Sequence, residues 1–319
     1  MTTKKHPNGF SALLVGLKSA LQWRLLLWWL LALGLPTLLF AMPLWSGLRA
    51  QFGHSTLAAE VASGRNVPML MEGINAMGET AGAAISIGTL VAMAMALLLS
   101  PWLTGMVVAS LRAGRSLRLG ELVHGGLSEY WRMFRMLLWS LVPLGIAVAI
   151  GAALLALVDK QSETAILQSE VDRNGNIALA VLAILFVFAH STIEAARGWL
   201  GAEPGLRSIF RAWWRGTKLA LQRPLATLIV YVGTSAAAYA LALLFGYARL
   251  RSDGAGFGGF LLGLLLTQLV AAALAWGRIA RLHGFAELAR GRIAEKAAAT
   301  PPGPAPEAPQ VESTGAAAA

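Results

Sequence analysis

Six apolar runs, each about twenty residues long or longer, are separated by hydrophilic segments whose Lys and Arg content alternates high, low, high along the chain. A hydrocarbon core about 30 Å thick takes roughly 20 residues of helix to cross. The runs at 25–45, 84–111, 136–158, 177–196, 225–247 and 257–276 meet that length. Strands of a membrane barrel alternate in polarity and are only about ten residues long, whereas these runs are continuously apolar. The sequence therefore predicts an all-α fold, a polytopic membrane protein with six transmembrane helices. With 56% hydrophobic and 13% charged residues, the chain is too apolar for an ordinary soluble domain, in which about a quarter of residues are charged. The first run is too long and begins too late for a cleavable signal peptide, so an uncleaved start-transfer helix is expected.

Threading follows from the basic residues. The N-terminal segment, the stretches 112–135 and 197–223, and the C-terminal segment together carry 20 of the 26 Lys and Arg. Short loops rich in Lys and Arg stay on the cytoplasmic side, so both termini are expected in the cytosol and the protein in a bacterial inner membrane. A formal charge of +10 would suggest nucleic acid for a soluble chain. Here the cations flank membrane spans, where anionic headgroups are the nearer partner.

A unit of basic segment plus helix pair recurs three times. Gly16, Lys18, Ala20, Leu21 and Gln22 match Gly216, Lys218, Ala220, Leu221 and Gln222 at a constant offset, and Gly126 to Arg135 forms a more diverged middle copy. In the third copy, Leu206, Ile209, Phe210, Trp213, Thr217 and Leu221 fall on one helical face, with Arg207, Arg211, Arg215, Lys218 and Gln222 on the other. Such a helix is expected to lie in the membrane interface, its apolar face in the acyl boundary and its cations among phosphates. Arg207, Arg211, Trp213, Trp214, Arg215 and Lys218, joined by Arg132 and Arg135 of the middle copy, are the candidate contacts for lipid headgroups or a partner. Most of the tryptophans sit at the same ends of the spans, which ordinary interfacial anchoring also explains.

Little else in the chain carries chemistry. His190, Glu194 and Arg197 share a face near the end of the fourth run, where a local ion pair or a proton-relay site is expected. Thr227, Tyr231, Thr234, Ser235 and Tyr239 form a hydroxyl stripe on the fifth run, and Gln268 adds an amide on the sixth. Bonds between helices explain such groups, as would a polar path. His190, Glu194, Thr234 and Gln268 are the candidate intramembrane polar site. His54, Ser55 and Glu60 lie too close in sequence to converge as a catalytic triad does, and Ser55 reads instead as the cap of a helix running to about Ala62. The chain has no Cys and no Walker, dinucleotide, HExxH or CxxC motif, so no catalytic residue, metal or cofactor is expected.

The order of elements resembles a group of uncharacterised six-span bacterial membrane proteins built from three such units. The likeness rests on Gly53-His54-Ser55 with Glu60, on the run from Gly126 to Arg135, and on the run from Gly205 to Pro224. It implies an inner-membrane location and no particular activity. Similar proteins carry an Asp-Tyr pair and a basic residue near the end of the fourth span, where this chain has His190, Ser191 and Glu194.

The expected organisation is a basic amphipathic cytoplasmic segment over 1–24, a six-helix membrane domain over 25–296 with cytoplasmic interfacial amphipathic helices, and a disordered Pro- and Ala-rich tail over 297–319. The expected role is non-enzymatic binding of membrane lipids, anionic ones in particular, or of a partner protein or second copy of the chain. A permease or transporter component is the alternative, and an intramembrane enzyme the third reading. Nucleic acid is not an expected partner.

Overall fold

The structure, a computed structural model, describes residues 8–62, 66–162, 168–252 and 256–299. Every regular element among them is helical: α1 (Gly9–Ser19), α2 (Trp23–Phe52), α3 (Ala58–Ala62), α4 (Val67–Ala113), α5 (Leu119–Ser162), α6 (Gln168–Ala202), α7 (Ile209–Gln222), α8 (Pro224–Arg251) and α9 (Gly256–Ala299). Six of them, α2, α4, α5, α6, α8 and α9, are long and apolar enough to cross a membrane. Each contains one of the six apolar runs, as befits a membrane-embedded, multi-pass protein. Residues 1–7 of the expected basic segment and 300–319 of the expected tail lie outside the described residues.

The helices run well past the apolar stretches. At 1.5 Å per residue, the 47 residues of α4 span about 70 Å, more than twice the thickness of a hydrocarbon core. Most of the segment between the first two runs is thus helix rather than loop. Ser55 does turn the chain ahead of α3, its hydroxyl accepting from the Leu57 amide at 3.2 Å. The middle basic segment is no separate helix but the first part of α5. The last apolar run continues to Ala299 as good helix formers (Ala, Leu, Glu, Arg), which favour extension where nothing stops them. Stops do exist elsewhere. Gly114, at φ 63°, takes the left-handed conformation that ends α4. Pro224 opens α8 directly after Arg223, at the first helical position, where its missing amide costs nothing.

The buried core sits at the end of the bundle that bears α1 and α7. Leu25 and Trp29 of α2, most of 103–111 in α4, Met133 and Met136 of α5, all of 191–201 in α6, and most of 275–289 in α9 are buried there. Toward the other end, Leu90, Leu141, Ile184 and Leu243 are exposed, as suits side chains solvated by lipid tails.

Packing completes the repeat. The hairpins are α2 with α4, α5 with α6, and α8 with α9. Each basic segment docks on the second helix of the preceding hairpin: the start of α5 on α4, α7 on α6, and α1 on α9, which closes the cycle. Glycines at matching positions make the approach possible. A Cβ on Gly16 would stand 2.5 Å from Ala280 O, one on Gly216 2.7 Å from Thr192 O, and one on Gly126 2.8 Å from the Met106 side chain.

Candidate functional site

Three sectors divide the surface of α7. Ser208 caps the helix, accepting from the Arg211 amide. Ile209, Ala212, Gly216, Leu219 and Ala220 form the buried sector, with Gly216 seated against α6. Phe210, Trp214 and Leu221 form the second sector and stay 61%, 54% and 63% exposed. The third is basic, with Arg211 and Lys218 exposed and Arg215 half-buried. The single apolar face expected from the sequence is therefore two faces, one spent on protein and one left bare. Trp213 belongs between them, half-buried, its ring 5.4 Å from that of Trp139 and its Nε1 donating to the Thr192 hydroxyl at 3.3 Å.

The candidate cations fall into distinct settings. Arg215 pairs with Glu203 and stands 5.4 Å over the Trp199 ring. Lys218 lies 5.4 Å over the Trp214 ring. Both line a cavity of about 510 Å³ together with Gln222, Arg292 and Lys296. Arg132 is drawn into the fold: Glu129 accepts from it at 2.7 Å and also pairs with Arg112, which donates to the Leu200 carbonyl at 2.7 and 2.9 Å. Arg135 remains exposed and lines, with Arg207, a second cavity of about 470 Å³ whose other walls are Leu138, Trp139, Ser208, Ile209 and Phe210. An arginine of α5 and one of the segment ahead of α7 thus line one cavity with a largely apolar wall.

The intramembrane candidates divide into two places. Glu194 is 1% exposed, with Arg197 donating to it at 2.5 Å and His190 Nε2 3.8 Å away. The His190 ring bonds the Tyr231 hydroxyl through Nδ1 at 2.8 Å. Arg281 stands 4.9 Å over the Tyr231 ring, and Arg278 reaches Ser100 at 3.2 Å. Burying a carboxylate is costly unless a cation meets it with good geometry, and Arg197 supplies that one turn away. Thr234 is fully buried, but its hydroxyl bonds back to the Val230 carbonyl at 2.7 Å. It faces Gly277, nine residues and so about 13 Å beyond Gln268, which is exposed. The structure thus joins His190 and Glu194 to Tyr231 and leaves Thr234 and Gln268 apart. Arg278 and Arg281 are the members that sequence reasoning did not place here. Their spacing at the end of an apolar run was visible, but only as topological charge.

Among the described residues no group of three or more His, Cys, Asp or Glu is placed to hold a metal ion. In comparisons with family models, with curated proteins and with solved structures, nothing matches this chain.

Proposed function

We propose that this chain is a non-enzymatic inner-membrane protein, threaded with both termini in the cytosol, that holds anionic phospholipid against its basic end. The observation that carries this reading is the cavity shared by Arg135 and Arg207. Its apolar wall of Leu138, Trp139 and Phe210 suits the upper part of an acyl chain, and the two arginines suit a phosphodiester, which guanidinium groups bind by paired hydrogen bonds. The strip of Phe210, Trp214 and Leu221 supports it as well, because each of the three is more than half exposed and lipid would cover that surface. Arg211 and Lys218 extend the positive surface along the same helix, each cation near an anionic leaflet contributing about 1 kcal/mol.

The test is lipid retention. Arg135→Gln with Arg207→Gln, and separately Arg211→Gln with Lys218→Gln, are purified in mild detergent and their bound lipids identified by native mass spectrometry. Loss of anionic lipid from the first pair and a smaller loss from the second is expected. Unchanged retention in both would remove the proposal. Arg132 and Arg215, already paired with Glu129 and Glu203, are left out because neutralising them would disturb folding.

A permease role has one observation in its favour, the buried Glu194 beside His190, since ionisable groups within spans often mark pathways. The self-bonded Thr234 and outward-facing Gln268 offer no continuation of such a path, so lipid binding is the better reading.

A further inference from the structure

On α9, His283 and Arg290 lie seven residues apart and share one face, while Arg292 and Lys296 fall on the opposite face. The cavity of Arg215 and Lys218 uses the second face. The first face closes a separate, smaller cavity of about 240 Å³. Its other walls are Ser19 and Gln22 at the junction of α1 and α2, Ser110 near the end of α4, and Arg115 with Ser116 just beyond it. Three stretches of chain, 19–22, 110–116 and 283–290, converge there.

The lining is rich in donors and contains no carboxylate. Gln22 holds the walls in register, its amide donating to the Ser19 carbonyl at 3.0 Å and its oxygen accepting from the Ser110 hydroxyl at 3.1 Å. The left-handed Gly114 turns the chain out of α4 and so brings Arg115 and Ser116 to the rim. Arg290 is anchored by donating to the Leu111 carbonyl at 2.9 Å and lies 3.5 Å from Glu287. Arg115 is anchored by two bonds to Glu121 at 2.9 and 3.0 Å. Both guanidinium groups are thereby fixed in orientation with other donors to spare.

Also on the cavity wall is His283, 7% exposed, whose Nε2 is buried with no hydrogen-bond partner. A buried ring nitrogen is rarely left so in a folded protein, and His283 is a wall residue of this polar cavity. Cationic, hydroxyl and amide donors therefore surround a space one of whose wall residues, His283, has an unmet ring nitrogen.

We propose that this cavity binds a phosphate-bearing anion, with Arg290 and Arg115 as its charge partners, Ser19 and Ser116 as hydroxyl donors, and the His283 ring bonding one of its oxygens. The volume is below the usual range for drug-sized ligands, which limits the occupant to a phosphate group with a short substituent. Such a group comes either from a small cytosolic phosphate compound or from a phospholipid headgroup.

Delipidated full-length protein in detergent is titrated with inorganic phosphate and with glycerol 3-phosphate by calorimetry, and protein purified without delipidation is examined by native mass spectrometry. Arg290→Gln should weaken binding by about tenfold or more, the usual scale for a lost charge-assisted bond. The exposed Arg115→Gln should weaken it by about threefold, as solvent screens that group. Ser116→Asp, at an exposed rim position where folding is not at stake, should abolish it by repulsion. Saturable binding of the soluble phosphates that responds in this order supports a cytosolic ligand. Absence of that binding, with a co-purifying phospholipid lost from Arg290→Gln and Ser116→Asp but kept by the Arg135→Gln, Arg207→Gln pair, supports a headgroup. Phosphate titrations and bound lipid that are both indifferent to Ser116→Asp and Arg290→Gln overturn the proposal.

Discussion

Replacing Gly16 by alanine tests the closure of the helical cycle. An alanine in a helix interior is favoured over glycine by about 0.5–1 kcal/mol. Against that stands the space: the new Cβ would lie 2.5 Å from Ala280 O, 3.0 Å from Gly284 N and 3.2 Å from Gly284 Cα. All three are backbone atoms of α9, which cannot rotate aside as a side chain would, so α1 must move away from α9. Overpacking of this kind costs about 1–3 kcal/mol, which leaves Gly16→Ala destabilising by up to about 2.5 kcal/mol after the propensity gain. Gly145, inside α5 with nothing within 4 Å of its would-be Cβ, is the reference, because there only the propensity term operates. Gly145→Ala should stabilise by about 0.5–1 kcal/mol. The difference between the two variants isolates the packing term. It can be read from reversible unfolding in mixed micelles, followed by tryptophan fluorescence, to which Trp276 contributes with its Nε1 bonded to the Leu17 carbonyl at 3.1 Å. If Gly16→Ala stabilises the fold as much as Gly145→Ala does, α1 is not packed on α9 and the closed cycle is wrong.

Further outcomes follow from the buried polar groups. Glu194→Ala should destabilise the protein by about 3–5 kcal/mol, the scale for stranding the partner of a buried ion pair. Glu194→Ala with Arg197→Ala should cost clearly less than the two single changes added together, and strict additivity in the same unfolding assay would show the pair to be uncoupled. Thr234→Val should change stability by no more than about 0.6 kcal/mol, the mean for polar contacts inside membranes. A much larger loss would mean that its hydroxyl serves a neighbouring helix rather than the Val230 carbonyl.

The spans were legible because a continuous apolar run of about twenty residues has few alternatives. Their true ends were not. The start of α5 and the end of α9 are polar enough to read as segments apart from the spans, and they remain helical because charges such as Arg112 and Glu129 are paired on burial. The docking of α7 was legible only in part, since bulky residues drew attention from the small ones. Ala212 and Gly216 make the protein contact, while Phe210 and Leu221, large and apolar, stay outside. The i,i+3 pairing of Glu194 with Arg197 could be read locally, because helical geometry alone brings those positions together. The partnership of His190 with Tyr231 joins residues 41 apart, and the cavity at His283 draws on three stretches of chain. No pattern along a single helix encodes either.

The proposed lipid role requires the basic end of the bundle to lie in the cytosol, and the chain is well suited to testing this because it contains no cysteine. Single Lys218→Cys and Ser55→Cys variants are exposed to a membrane-impermeant maleimide in intact spheroplasts and in inverted vesicles. Labelling of position 218 only in inverted vesicles and of position 55 only in spheroplasts is the predicted result. Labelling of both positions from the same side, or position 218 reacting in intact spheroplasts, would contradict it.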